Sequence, residues 1–170
     1  MFLKSSPIGG PSRRKRGICP GARQVADPLT RRDTARAMSQ ENVEIVRQYF
    51  PAYDRSGLDG LTEFWHPDIN WRAAEGALDD VGLMEGPDAL RDYYCQWEET
   101  FEKGRVEAEE LMDAGDQVVA LVRGMGRMKD SEVEIDIRYA IVFTIRDGKI
   151  AAGREYFTRE EALKAAGLSE

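Results

Sequence analysis

The chain has one histidine, His66, and two cysteines, Cys19 and Cys95, in 170 residues. One imidazole cannot build a multi-histidine metal site. Nucleophile triads of the Ser-His or Cys-His kind would have to pass through a residue that the pattern places in a loop before Pro67, so His66 reads as structural. Cys19 falls in an irregular N-terminal stretch and Cys95 in a predicted helix, so the two have no reason to meet at disulfide geometry. That usage suits a reducing, cytoplasmic chain. Apolar runs are short: none approaches the roughly 18 residues of a membrane span, and the start from Met1 to Pro7 lacks the apolar region of a secretory signal. A phosphate-cradling glycine loop is missing too, since Gly124 and Gly126 sit in a strand pattern with no helix after it. The expectation is a soluble, unexported protein with neither metal nor cofactor.

What is present is an uneven charge. The net −7 hides a basic stretch, with nine Lys and Arg against two Asp in residues 1–38, and an acidic body, with fifteen against twenty-nine in residues 39–170. An acidic body repels phosphate backbones and anionic lipid. Nucleic acid and membrane are therefore poor partners for the folded part, and a small, mostly apolar molecule is the better one.

Residues 1–37 are rich in Gly, Pro, Ser and Arg and cannot bury enough apolar area to offset ordering entropy, so they read as a disordered basic extension. Met38 could be the true start, followed by a single domain over 38–170. The first helix is predicted from Gln40 to Arg55, capped by Ser39, with a kink or break near Phe50 because Pro51 removes the bond to the Arg47 carbonyl. A short helix from Leu58 through Trp65 should end at Pro67, and Ile69 to Trp71 forms a short strand. Residues 74–86 form a flexible segment over a pocket mouth, and a helix opens at Pro87 and stops before Gly104. Three strands follow, over 105–113, 117–128 and 132–145. A fourth, over 149–157, returns through Asp147-Gly148, the dipeptide of a two-residue hairpin. Helices first and strands later predict an α+β fold with helices on one face of a curved antiparallel sheet.

The segments from Gln48 to Phe50, Ser56 to Gly60, Phe64 to Asp68, Asp147 to Ile150 and Arg154 to Phe157, with Ala162 and Leu163, resemble the nuclear transport factor 2-like superfamily. Within it the chain is most similar to the SnoaL-like polyketide cyclase branch, over about residues 38–168. The resemblance implies a cone-shaped sheet whose concave face is closed by N-terminal helices around a hydrophobic cavity, often in a homodimer. It also implies a choice between cofactor-free isomerases, cyclases and hydrolases on one side and non-catalytic ligand-binding or dimerisation modules on the other.

Hairpin parity then distributes the side chains. If Arg146 pairs with Lys149 without interruption, Asp136, Arg138 and Ala140 share a face with Gly153, Glu155 and Phe157, and the opposite face carries Ile135, Ile137, Tyr139, Ile141 and Phe143. Pattern alone makes the second, apolar set the core. The resemblance favours the first set as the concave face, with Arg138 paired to Glu155 inside it. On that reading the catalytic candidates are Glu155, Arg138, Arg123 and Tyr49, and the ligand contacts Tyr53, Trp71, Tyr94, Asp136 and Phe157. Ketosteroid isomerase chemistry fits poorly, because only Tyr49 of its three groups has a match while its base falls on Ala73 and its second acid near Ala140. Limonene-type epoxide hydrolysis is half matched: Arg123 is present, Met125 stands where an Asp is needed, and Glu155 replaces the last-strand Asp. Cyclase chemistry asks for one carboxyl near a ligand carbonyl, which Asp136 or Glu155 could supply.

Overall fold

The computed structural model describes residues 28–77, 79–131 and 133–169. Among these residues four helices and six strands follow one another: α1 (Pro28–Ser56), α2 (Leu58–Thr62), β1 (Trp65–Arg72), β2 (Leu83–Glu85), α3 (Gly86–Thr100), β3 (Phe101–Ala114), β4 (Gln117–Met128), β5 (Glu134–Arg146), β6 (Lys149–Tyr156) and α4 (Arg159–Ala165). The expected α+β architecture is present, with one difference. The sheet, in the order β2-β1-β6-β5-β4-β3, is mixed rather than antiparallel, because β1 runs parallel to β6.

Helix α1 begins eleven residues before the expected cap. Residues 28–37, read from sequence as part of the extension, are helical; the rest of that extension, residues 1–27, lies outside the described residues. Ser39 is thus interior to the helix, and its hydroxyl lies 2.6 Å from Asp113 Oδ2 on β3. The predicted break at Phe50 does not occur either: α1 is continuous through Pro51. Val46, Tyr49 and Phe50 before Pro51 and Ala52 after it are all buried and hold that turn in place despite the missing backbone bond. Pro67 does not end α2 but lies inside β1, where the pairing with β6 jumps between Trp65 and Asn70 and no ladder bond is asked of it.

The core sits on both faces of the sheet. On the concave face Val118, Ala120, Val122, Ile141 and Phe143 pack beneath the helices, and on the convex face Val119, Ala140 and Val142 pack against Ala162 and Leu163 of α4. Helix α4 starts on a capping box in which Thr158 accepts from the Glu161 N–H and Glu161 reaches back to the Thr158 N–H.

The register of the last hairpin decides where the chemistry lies. Asp147 and Gly148 both take positive φ, at 52° and 71°, as a type I′ turn requires. Arg146 faces Lys149 and Ile145 faces Ile150, but Thr144 faces Ala152. Ala151 is an extra residue, a β-bulge, and the Asn70 side-chain amide donates to its carbonyl at 3.3 Å. Beyond the bulge every side chain of β6 changes face relative to uninterrupted pairing. Glu155 stands opposite Ile141 and not Ala140, so it shares the concave face with the apolar set.

Candidate functional site

Glu155 projects from β6 into the concave interior between β1, α1, α3 and β5. Trp71 Nε1 donates to its Oε1 at 3.0 Å, and the Ala74 backbone N–H also bonds to the carboxylate. The Trp71 contact depends on Gly153. These two residues are partners in the parallel β1–β6 ladder, and a Cβ on Gly153 would come within 2.1 Å of the Trp71 ring. Only a bare backbone lets the indole lie against β6 with its N–H aimed at Glu155.

Rings enclose the rest. Tyr94 stacks on Trp65 with centroids 6.0 Å apart and meets Trp71 edge-on at 6.5 Å, while Tyr93 lies 5.7 Å from Tyr94. Trp65 Nε1 donates to Tyr49 Oη at 3.3 Å, and Tyr49 and Tyr94 share a hydrogen bond of 3.1 Å between their hydroxyls. Tyr93 Oη donates to Asp79 Oδ2 at 2.7 Å, tying the segment after β1 to α3. Asp80 tightens the same segment by accepting from the Gly76 and Gly82 N–H groups. Glu155, Tyr94 and Tyr139 are surrounded by protein and yet are only partly shielded from water, whereas Tyr49, Trp65, Trp71 and Tyr93 are buried. Water therefore reaches part of each of the first three side chains.

Electrostatics follow from this enclosure. Burial is the main influence on Glu155 and pushes its carboxyl up to about 7; the Trp71 hydrogen bond opposes the shift, the Asp79 charge adds to it, and the Ala74 N–H opposes it. Burial also lifts Tyr49, to about 12, and holds Tyr94 and Tyr139 well above an ordinary phenol. All three rings are protonated near neutrality and can donate hydrogen bonds.

The structure brings together Tyr49, Trp71, Tyr94 and Glu155 of the sequence-derived set and leaves the others apart. Arg138 is not the partner of Glu155: it is paired with Glu109 at 3.0 Å. Arg123 holds Asp136 through two bonds of 2.8 and 2.6 Å, and this pairing keeps the Asp136 carboxyl below its ordinary range. Arg123, Asp136 and Arg138 continue the convex rows of Leu121 and Ala140, outside the concave interior, because the bulge moved Glu155 away from their face. Phe157 follows the end of β6 and is 54% exposed. Tyr53 donates to Glu98 at 2.7 Å on the outer side of α1 and α3. Tyr93, Asp79 and Tyr139 were missed as site residues. Tyr139 stood in the apolar set that parity had placed on the other face, and no local signal pairs Asp79 with Tyr93.

Among the described residues no group of three or more His, Cys, Asp and Glu is placed to hold a metal ion, and no helix is long and apolar enough to cross a membrane. A shallow groove of about 580 Å³ between α1 and β3 is lined by alternating charges such as Arg47, Asp54, Arg105 and Glu107. It contains nothing comparable to Glu155.

The arrangement has counterparts among known proteins. Residues 46–153 match the family described as SnoaL-like domain. Among solved structures, a nuclear transport factor 2-like protein from Burkholderia xenovorans is 25% identical and superposes with a TM-score of 0.58, over 75% of this chain and 96% of that one. A candidate SnoaL-like polyketide cyclase from Jannaschia sp. is 23% identical with a TM-score of 0.60, over 75% and 91%. A hypothetical protein with a ketosteroid isomerase-like fold from Catenulispora acidiphila, in complex with trimethylamine, is 20% identical with a TM-score of 0.59, over 74% and 94%. No curated protein matches. With more than half of its length matched and the helix-closed sheet in place, the chain belongs to the SnoaL-like domain family.

Proposed function

We propose that this protein binds a small, mostly apolar molecule on the concave side of the sheet beside Glu155 and carries out cofactor-free acid/base chemistry on it, of the isomerisation, cyclisation or hydrolysis type. The observation that carries the proposal is Glu155, a carboxyl lifted to about 7 and positioned by Trp71 and the Ala74 N–H. A group that ionises near the working pH can take a proton and return it with little loss in either direction. Tyr49 and Tyr94 supply donors. Because Tyr49 Oη already accepts from Trp65, its proton can go to Tyr94, which leaves the Tyr94 hydroxyl proton for a ligand oxygen. Tyr94 and Tyr139, rings that keep some exposure beside Glu155, fit the body of such a molecule, and a neighbour of the same fold accommodates a small molecule, trimethylamine. As in many proteins of this fold, the reading includes a homodimer.

The test is a thermal-shift screen over polyketide-like, terpene-like and steroid-like compounds, followed by turnover assays on the hits with the wild type and Glu155→Gln. The expected result is binding by both proteins and turnover by the wild type alone, with a loss of at least about 100-fold for removing a general acid/base. Turnover that survives Glu155→Gln would exclude the assignment.

A second reading has its own support. Tyr49, Phe50, Trp71 and Phe143 fill much of the interior with edge-to-face contacts, such as 5.7 Å between Trp71 and Phe143, as a module that only binds or dimerises would. Hits that bind without turnover in any assay would favour it.

A further inference from the structure

The connection between β1 and β2 stands over Glu155. At its start the Ala74 N–H bonds to the carboxylate. Its described residues after Ala74, 75–77 and 79–82, form a strap that is bonded mainly to itself. The Ala77 N–H donates to the Ala74 carbonyl at 2.9 Å and the Asp80 N–H to the Ala77 carbonyl at 3.1 Å, while the Asp80 carboxylate accepts from the Gly76 and Gly82 N–H groups at 3.0 Å each. Gly76 and Gly82 take φ of 83° and 84°, and nothing stands within 4 Å of where a Cβ would lie, so a change of backbone angle there meets no neighbour. Ala73 and Ala74 are buried before the strap and Met84 after it, but Val81 is 60% exposed and gives the strap no apolar anchor. Among the described residues its side chains make two polar contacts with other elements. Glu75 approaches Arg72 at 4.0 Å in an exposed position. Asp79, also exposed, accepts from the hydroxyl of buried Tyr93 at 2.7 Å, and this bond fastens the strap to α3. A segment with few buried apolar contacts and one firm polar attachment lies at the low-stability end of a fold, from which lids are drawn.

Resting on the small-molecule reading above, we propose that this strap is a gate over Glu155, latched to α3 by the Tyr93–Asp79 hydrogen bond and free to swing at Gly76 and Gly82, and that a ligand reaches the acid when the latch breaks. In the latched form water reaches only part of Glu155, so a molecule that is to exchange a proton with it needs a way in. Opening breaks one hydrogen bond, and both of its partners then have water to bond: Asp79 is exposed already, and the Tyr93 hydroxyl is uncovered as the strap leaves. Closing restores the enclosure that lifts the Glu155 carboxyl, so the same movement admits the ligand and then sets the acid for its work.

The experiment treats the full chain at pH 6, where Glu155 is mostly protonated, with a water-soluble carbodiimide and glycinamide. Labelling of Glu155 is read by peptide mass spectrometry, beside amide hydrogen exchange on the same samples. Both rates follow the fraction of time the group is uncovered. Tyr93→Phe removes the donor of the latch and Asp79→Ala its acceptor. Each is expected to quicken Glu155 labelling and amide exchange in the strap about tenfold or more, the usual weight of a hydrogen bond to a charged group. The double variant should add nothing to the faster single one, because all three lose the same bond. Amides from Val118 to Val122 in β4 should exchange as in the wild type, which separates a gate from a general loosening. Asp79 is exposed, so its variant carries the test if Tyr93→Phe does not fold. Glu155 labelling as fast in the wild type as in the variants, or quickened only together with the β4 amides, would overturn the gate. So would a compound that binds beside Glu155 with the same association rate in the wild type and in Tyr93→Phe, and the small-molecule reading would then stand without it. A screen in which no compound binds would count against the small-molecule reading alone, because labelling needs no ligand.

Discussion

Replacing Glu155 by Gln should remove a pH dependence from the stability of the whole domain. Burial raises the folded carboxyl from an ordinary 4.5 to about 7. Between those values the folded protein keeps a proton that the unfolded chain has released, so the contribution of Glu155 to stability is fully present below about 4.5 and is lost as pH rises through about 7. At roughly 1.4 kcal/mol per pH unit the loss between pH 4 and pH 8 is at most about 3 kcal/mol, and the water that reaches the carboxylate brings the expectation to about 1–3 kcal/mol. Gln keeps the shape and a carbonyl for the Trp71 N–H but has no proton to release. Urea unfolding followed by tryptophan fluorescence, run on both proteins at several pH values, gives the difference in stability as a curve in which other titrating groups cancel. The variant should gain on the wild type by about 1–3 kcal/mol from pH 4 to pH 8, whatever constant offset the substitution adds. A flat difference, or one that moves the other way, would show that the folded protein does not hold the Glu155 proton, and both the buried-acid argument and the acid/base proposal would be lost with it.

Gly153→Ala places a methyl 2.1 Å from the Trp71 ring, so the indole must leave β6 and release Glu155. Overpacking together with a lost hydrogen bond to a carboxylate gives about 3 kcal/mol or more of destabilisation by urea unfolding, relieved in part by adding Trp71→Leu; a loss under about 0.5 kcal/mol would contradict the packing. Ser39→Ala removes the 2.6 Å contact to Asp113 and should cost about 1–2 kcal/mol, a loss that shrinks in an Asp113→Ala background, whereas a Ser39 that only capped a helix starting after it would cost the same in both. Thr158→Ala breaks the capping box of α4 and should cost about 1 kcal/mol, with Leu163 and the C-terminal segment exchanging amide hydrogens sooner than the sheet does.

Most of the element order could be read in the sequence because its signals are local. The β-patterned runs in 117–128 and 132–145, the Asp147-Gly148 turn and the Pro87 helix start each act within a few residues, and the strands and helix they announce are β4, β5, β6 and α3. Boundaries fail where a local signal is outbid by a distant partner. Ser39 with Glu41 looks like the opening of a helix, yet the Ser39 hydroxyl is committed to Asp113, 74 residues away, and α1 runs past it on both sides. The face assignment failed for a sharper reason. Residues 118–120 and 140–143 are buried without a break, since α1 covers one face and α4 the other, so alternation carries no information there. Parity then had to be carried from the turn by counting, and a single bulge at Ala151, which no glycine or proline marks, inverts the count for everything after it. Charge could have corrected it. Arg123, Asp136 and Arg138 form a mutually neutralising set with Glu109 that needs no buried partner, whereas Glu155 on their face would have added a third acid to a set already neutral. Turned inward by the bulge, Glu155 meets the Trp71 N–H and no cation among the described residues, and the raised carboxyl on which the functional proposal depends follows from that one inserted residue.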